Sequence, residues 1–120
     1  MNPSPDSANW WVICLCAEWC GVCRDWRSTF TQAALTHTGM RFAWIDIEDE
    51  ADAMGDVDIE TFPTLLVAQG GKARFYGPVQ PSSSQLARLL ASLTDGASAA
   101  ATAQSQALLD RLAPIALSQS

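Results

Sequence analysis

All four cysteines of this 120-residue chain stand in one stretch of ten, "CLCAEWCGVC", from Cys14 to Cys23. A cysteine acts as a nucleophile or metal ligand when its thiolate forms, and packs like a small apolar residue when it does not. Cys20 and Cys23 are three apart, nearly one helical turn. On a helix their sulfurs can meet, and the second can resolve a mixed disulfide formed by the first. Cys14 and Cys16 are two apart. On a strand they share a face with α-carbons roughly 6.5 to 7 Å apart, too far for an easy bridge to each other. They read as buried free thiols that pack, and as modulators of the pair beyond them. A zinc site of the form C-x-C-x3-C-x2-C is the competing reading. It is disfavoured because structural zinc normally draws on two separated ligand pairs, and here two ligands would lie inside a strand. His37, the only histidine, reads as an ordinary helix residue.

The elements that would position these thiols are legible around them. "WWVICLCA" (10–17) is a continuous apolar run of strand length, as expected of a strand buried on both faces. After it, Cys23, Trp26, Phe30, Ala34 and His37 recur at three or four, the period of one helix face, and Gly39 supplies a stop. Cys20 thus falls at the start of a helix, where unpaired N–H groups and the positive end of the macrodipole favour a thiolate. "MRFAWIDI" (40–47) is a second strand, which makes a right-handed βαβ unit with parallel strands. Asp46 to Glu60 holds eight acids and no base, with Ala51, Met54 and Val57 at helical spacing, and reads as a solvated helical face. "TLLVA" and "ARFYG" around Gly70 and Gly71 give a hairpin signal. Ser82 with Gln85 forms a capping box ahead of an apolar stripe at Leu86, Leu89, Leu90 and Leu93.

The ends differ in composition. Residues 1–9 are polar with two prolines, and 96–120 are rich in Ala, Ser and Gln. The expected organisation is therefore a flexible tail (1–9), a domain (10–95) and a C-terminal tail (96–120). In that last segment Leu108, Leu109, Leu112 and Ile115 fall at helical spacing, limited by Pro114. Seven basic against thirteen acidic residues give a formal charge of −6 and a pI near 4.4. That balance repels phosphate backbones and anionic membrane surfaces, so nucleic acid and membrane are not expected partners. The N-terminal stretch has no basic segment followed by an apolar one, and no stretch approaches the roughly 18 apolar residues of a membrane span. A soluble, cytoplasmic monomer is expected. In a reducing compartment a C-x-x-C is catalytic or metal-binding rather than structural.

Strand, short turn, C-x-x-C and helix in this order resemble the thioredoxin superfamily. "AEWCGVC" (17–23) is similar to the family's active-site stretch. "IDIED" (45–49) followed by "FPTLLV" (62–67) is similar to its strand end and its Ile-Pro-Thr. The resemblance covers about residues 10 to 95. It implies an α/β fold with a mixed four-stranded central sheet flanked by helices. It further implies a disulfide oxidoreductase in which Cys20 attacks and Cys23 resolves, with no bound cofactor, acting on protein disulfides and reduced by an electron-donating reductase. By the same resemblance Pro63 is cis, Phe62 offers its backbone to a substrate strand, and Trp19, Gly21, Val22 and Gly77 border the groove.

The chain departs from the family pattern in three ways. Only nine residues stand where the family has a strand and a helix before the active-site strand, leaving an apolar surface that a C-terminal helix could cover. The same C-terminal stripe could instead pair two chains, or the tail could stay unstructured. Val22 replaces a proline between the cysteines. Cys14 and Trp44 stand where the family has a buried aspartate and, often, a lysine on the neighbouring strand, so the usual proton acceptor for the resolving thiol is missing. The alternative of a different class is a thioredoxin-like binding module with a vestigial dithiol, or a zinc-binding domain.

Overall fold

The computed structural model describes residues 10–17, 20–37, 39–55, 57, 59, 63–69, 71–94 and 102–118. The chain runs β1 (Trp10–Cys16), α1 (Gly21–Thr36), β2 (Met40–Asp46), α2 (Ala51–Met54), β3 (Thr64–Gln69), β4 (Lys72–Pro78), α3 (Ser83–Thr94) and α4 (Ala103–Ser118). The strands form one mixed sheet in the order β2-β1-β3-β4. β1 and β2 pair in parallel across the α1 crossover, and β3 is antiparallel to both β1 and β4. β1 and β3 are the central strands, and each is buried almost throughout. This is why both read as unbroken apolar runs rather than alternating ones.

Period-two alternation along β1 divides the core into two layers. Val12, Cys14 and Cys16 point to one face and pack with Trp26 and Phe30 of α1 and Leu86, Leu90 and Leu93 of α3. Ile13 and Leu15 point to the other and pack with Met54 of α2 and Leu108, Leu109 and Leu112 of α4. All four cysteines thus belong to the layer under α1, with Cys20 at its margin. The buried face of α1 carries Ala33 rather than Ala34, a slip of one residue from the spacing read in the sequence.

Local signals explain the element ends. α2 is a single turn, stopped by Gly55 at a φ of 62°, which favours glycine. Gly71, at a φ of 87°, turns the β3–β4 hairpin. The Ser82 hydroxyl accepts the Gln85 backbone N–H at 3.4 Å, one arm of the expected capping box.

The C-terminal segment departs from the sequence reading at Pro114, which does not end the helix: α4 continues to Ser118. Proline costs a helix one backbone hydrogen bond. Here the loss falls on the exposed side, while Leu112 and Ala116 hold the turns on both sides of it in the core. α4 starts at Thr102, where the Thr102 hydroxyl accepts the Ser105 N–H at 3.1 Å and the Ser105 hydroxyl accepts the Thr102 N–H at 2.7 Å. Two side chains pin it from above. The Gln106 amide accepts the Ala73 N–H and donates to the Gly71 carbonyl, both at 2.9 Å, clasping the hairpin. The Arg111 guanidinium donates to the carbonyls of Ala53 at 2.6 Å and Met54 at 3.2 Å, a cation on the C-terminal end of α2.

Candidate active site

The candidate site forms where β1 ends and α1 begins. Cys20 is the N-cap of α1, with extended backbone angles and no side-chain cap. Its N–H donates to the Ala17 carbonyl at 3.0 Å, closing the turn, and its carbonyl accepts the Arg24 N–H at 3.1 Å. The thiol of Cys20 is half-buried. Gly21 and Val22 follow as the first, exposed residues of the helix. Cys23 sits on the inner side of the first turn and is fully buried.

The structure corrects the reading of Cys16 as a free packing thiol. Cys16 is bonded to Cys23, with α-carbons 5.8 Å apart, well inside the range a disulfide spans. Cys20 and Cys14 are the free thiols. The pairing has a simple topological cause: the last residue of β1 and the first turn of α1 are brought face to face by the short turn between them. Periodicity within each element carries no trace of that contact. The available signal is the inward direction shared by Cys16 on its strand and Cys23 on its helix.

Cys14 and Cys16 share a face, as their spacing predicts, and the Cys14 thiol donates to Cys16 Sγ at 3.8 Å. Burial pushes the Cys14 thiol up to about 12. The Trp26 indole N–H lies close enough to favour the Cys14 anion slightly, but it meets no acceptor in hydrogen-bonding geometry, and desolvation dominates. Trp44 pairs with Cys14 across the β1–β2 register. It is half-buried, with Phe30 edge-on at 5.8 Å and the Arg27 guanidinium 5.1 Å from its ring centre. Trp10 and Trp26 are buried, whereas Trp11 and Trp44 are half-buried, each packed against a core layer with an arginine over its ring.

The other expected groove residues are distributed unevenly. Pro63 is buried at the start of β3, and its carbonyl accepts the Val79 N–H at 3.0 Å. Trp19 and Phe62, and with Phe62 the peptide bond to Pro63, lie outside the described residues. Gly77 stands within β4, paired with Leu65. The sequence reading also missed a cleft of about 300 Å³ whose wall includes Cys23, with Arg24, Arg27, Asp46, Asp49 and Glu50 around it. It sets both signs of charge beside Cys23. His37 caps the far end of α1 and stacks on Phe42. Among the described residues no group of three or more His, Cys, Asp or Glu side chains is placed to hold a metal ion, and no helix is long and apolar enough to cross a membrane.

This arrangement of sheet, crossover helix and cysteines defines the class. The thioredoxin family model matches residues 5–92, and the chain belongs to the thioredoxin family. Thioredoxin-1 of Caenorhabditis elegans is 30% identical over 57 residues, 48% of this chain and 50% of that protein. The chain spans about half the length of such curated relatives. Among solved structures, a poplar thioredoxin h superposes with a TM-score of 0.64 at 17% identity, over 75% of this chain and 80% of that one. Fasciola hepatica thioredoxin superposes at 0.63 and 20% identity, over 72% and 82%. The likeness shows a shared α/β fold.

Proposed function

We propose that the protein is a thiol-disulfide oxidoreductase that exchanges disulfides with protein substrates through Cys20 and Cys23. The observation that carries this reading is the placement of Cys20: a half-buried free thiol at an uncapped helix N-terminus, one turn from a fully buried Cys23. An incoming disulfide meets Cys20 first. The Cys20 thiolate attacks one sulfur of the substrate disulfide, and the other sulfur leaves as a thiolate that takes up a proton. The Cys23 thiolate then attacks Cys20 Sγ and releases the second substrate sulfur, so the substrate gains two electrons and the dithiol becomes a disulfide.

Trp19, Gly21, Val22, Phe62, Pro63 and Gly77 guide an extended segment of the substrate. An electron-donating reductase of a reducing, cytoplasmic compartment restores the dithiol, with no bound cofactor, and the protein acts as a monomer in the direction of substrate reduction. Insulin reduction with dithiothreitol, followed as turbidity, tests the reading. Wild-type protein should turn over and Cys20→Ser should fall to the uncatalysed rate. Absence of turnover by the wild type would leave a binding module in place of an enzyme.

A further inference from the structure

We propose that Cys16 is a third redox residue of this site: it displaces Cys20 from a Cys20–Cys23 disulfide, so that the oxidised protein keeps a buried Cys16–Cys23 bond and presents Cys20 as a free thiol. The inference rests on the exchange function proposed above and extends it to what becomes of the oxidised site. Four observations carry it. Cys16 and Cys23 are bonded, at an α-carbon separation of 5.8 Å. Both are fully buried. Cys20, the residue that Cys23 must pair with during exchange, is free and the more accessible thiol. Cys14 donates a hydrogen bond to Cys16 Sγ.

In the step, Cys16 Sγ attacks Cys23 Sγ, the Cys23–Cys20 bond breaks, and Cys20 leaves as a thiolate. The proton lost by Cys16 is taken up by Cys20 or by water, and one disulfide replaces another with no net oxidation. Each partner is suited to its part. A hydrogen bond to a sulfur favours its anion, and Cys14, held protonated by its burial, supplies one to Cys16. The departing Cys20 sulfur emerges at the uncapped start of α1, where it is half-exposed and can be protonated from water. The relay stops at Cys16. A Cys14–Cys16 bridge would have to span two positions of one strand, beyond easy disulfide reach.

The displacement changes what the oxidised protein offers to other molecules. A Cys20–Cys23 disulfide lies at the surface end of the helix, open to an incoming thiol. A Cys16–Cys23 disulfide is sealed from solvent, and the thiolate placed to reopen it is Cys20 of the same chain. The oxidised protein therefore retains a nucleophile at its entry position and acts on small disulfides through a single cysteine.

The test is a time course of disulfide mapping on the full chain. Reduced wild-type protein is oxidised with one equivalent of diamide, quenched in acid at intervals, labelled with N-ethylmaleimide and cut with chymotrypsin after Leu15 and Trp19. The expected sequence is an early Cys20–Cys23 link with Cys16 labelled. This converts, without further oxidant, to a peptide carrying Cys16 joined to the fragment that begins at Cys20, with the label on Cys20. In a second arm Cys20→Ser, which cannot form the first link, should still close Cys16–Cys23 with diamide. Cys16 labelled at all times in the wild type, or a Cys20→Ser protein that forms no internal disulfide, would overturn the inference. Insulin turnover by the same wild-type preparation reads the exchange function separately. Turnover with Cys16 always labelled removes the third redox residue alone, whereas absent turnover removes the exchange function and the displacement with it.

Discussion

Cys14 occupies the position where the thioredoxin pattern has a buried aspartate, and its surroundings decide what it can do in the proposed exchange. It lies among Val12, Trp26 and Leu65 with no solvent contact, which pushes its thiol from 9.0 up to about 12. It cannot act as a base near neutral pH. Cys14→Asp should raise the rate at which Cys23 releases a trapped mixed disulfide at pH 7 by about tenfold or more, provided the domain carries the buried charge, which costs several kcal/mol if unpaired. Stopped-flow tryptophan fluorescence from pH 6 to 9 reads that release. Equal rates would direct the proton through the cleft of mixed charge beside Cys23 instead.

The same raised value makes a stability prediction. Above about pH 9 the unfolded chain loses the Cys14 proton while the folded chain keeps it, so the unfolded state binds fewer protons and stability falls as pH rises towards 12. The slope from this one group approaches about 1.4 kcal/mol per pH unit. Cys14→Ala should flatten that limb. Urea unfolding of both proteins, fully reduced, from pH 8 to 11 measures it, and parallel curves would contradict the assignment. A third expectation concerns access: limiting iodoacetamide should label Cys20 ahead of Cys14, since Cys14 has no exposed surface. At this scale the sequence made the position of Cys20 readable, because the strand run and the helix period meet at it. It did not make the Cys16 bond readable, because that contact crosses between two elements.

Among the elements, β1, α1, β2, the hairpin and α3 are visible as apolar periods with turn residues between them. α4 is the less legible one. Its stripe is in the sequence, but Pro114 argues for an early end, and only the packing of Leu112 and Ala116 on the sheet shows why the helix passes through. Truncation after Asp95 should cost several kcal/mol, since Leu108, Leu109 and Leu112 are each fully or nearly fully buried and such burial is worth about 1.5 to 3 kcal/mol per side chain. Leu112→Ala alone should cost about 2 to 5 kcal/mol. Pro114→Ala should act in the other direction, restoring a backbone hydrogen bond at an exposed position and raising the melting temperature, with a gain of up to about 3 kcal/mol. Thermal unfolding of the three variants checks the set. An unchanged melting temperature on truncation would mean that α4 contributes nothing to the domain.

For the whole molecule, the fold follows from the assignment of side chains to two layers. Alternation along β1 sends the cysteines under α1 and α3, and sends Ile13 and Leu15 towards α2 and α4. The cysteines are thereby kept in one layer, and α4 closes the other. The order of elements was legible from turn residues at most boundaries and, between β1 and α1, from the change of apolar period alone. The β1–β2 and β3–β4 pairings follow from a crossover and a hairpin, whereas the β1–β3 pairing and the docking of α4 follow from neither. The central claim remains that Cys20 is the thiol through which substrates enter. Trapping tests it most directly: Cys23→Ser protein is incubated with a disulfide-bonded peptide, quenched in acid and mapped by mass spectrometry. A stable mixed disulfide at Cys20 is predicted, and it should be absent in Cys20→Ser. An adduct at Cys14 or Cys16, or none at any cysteine in a folded protein, would contradict the account.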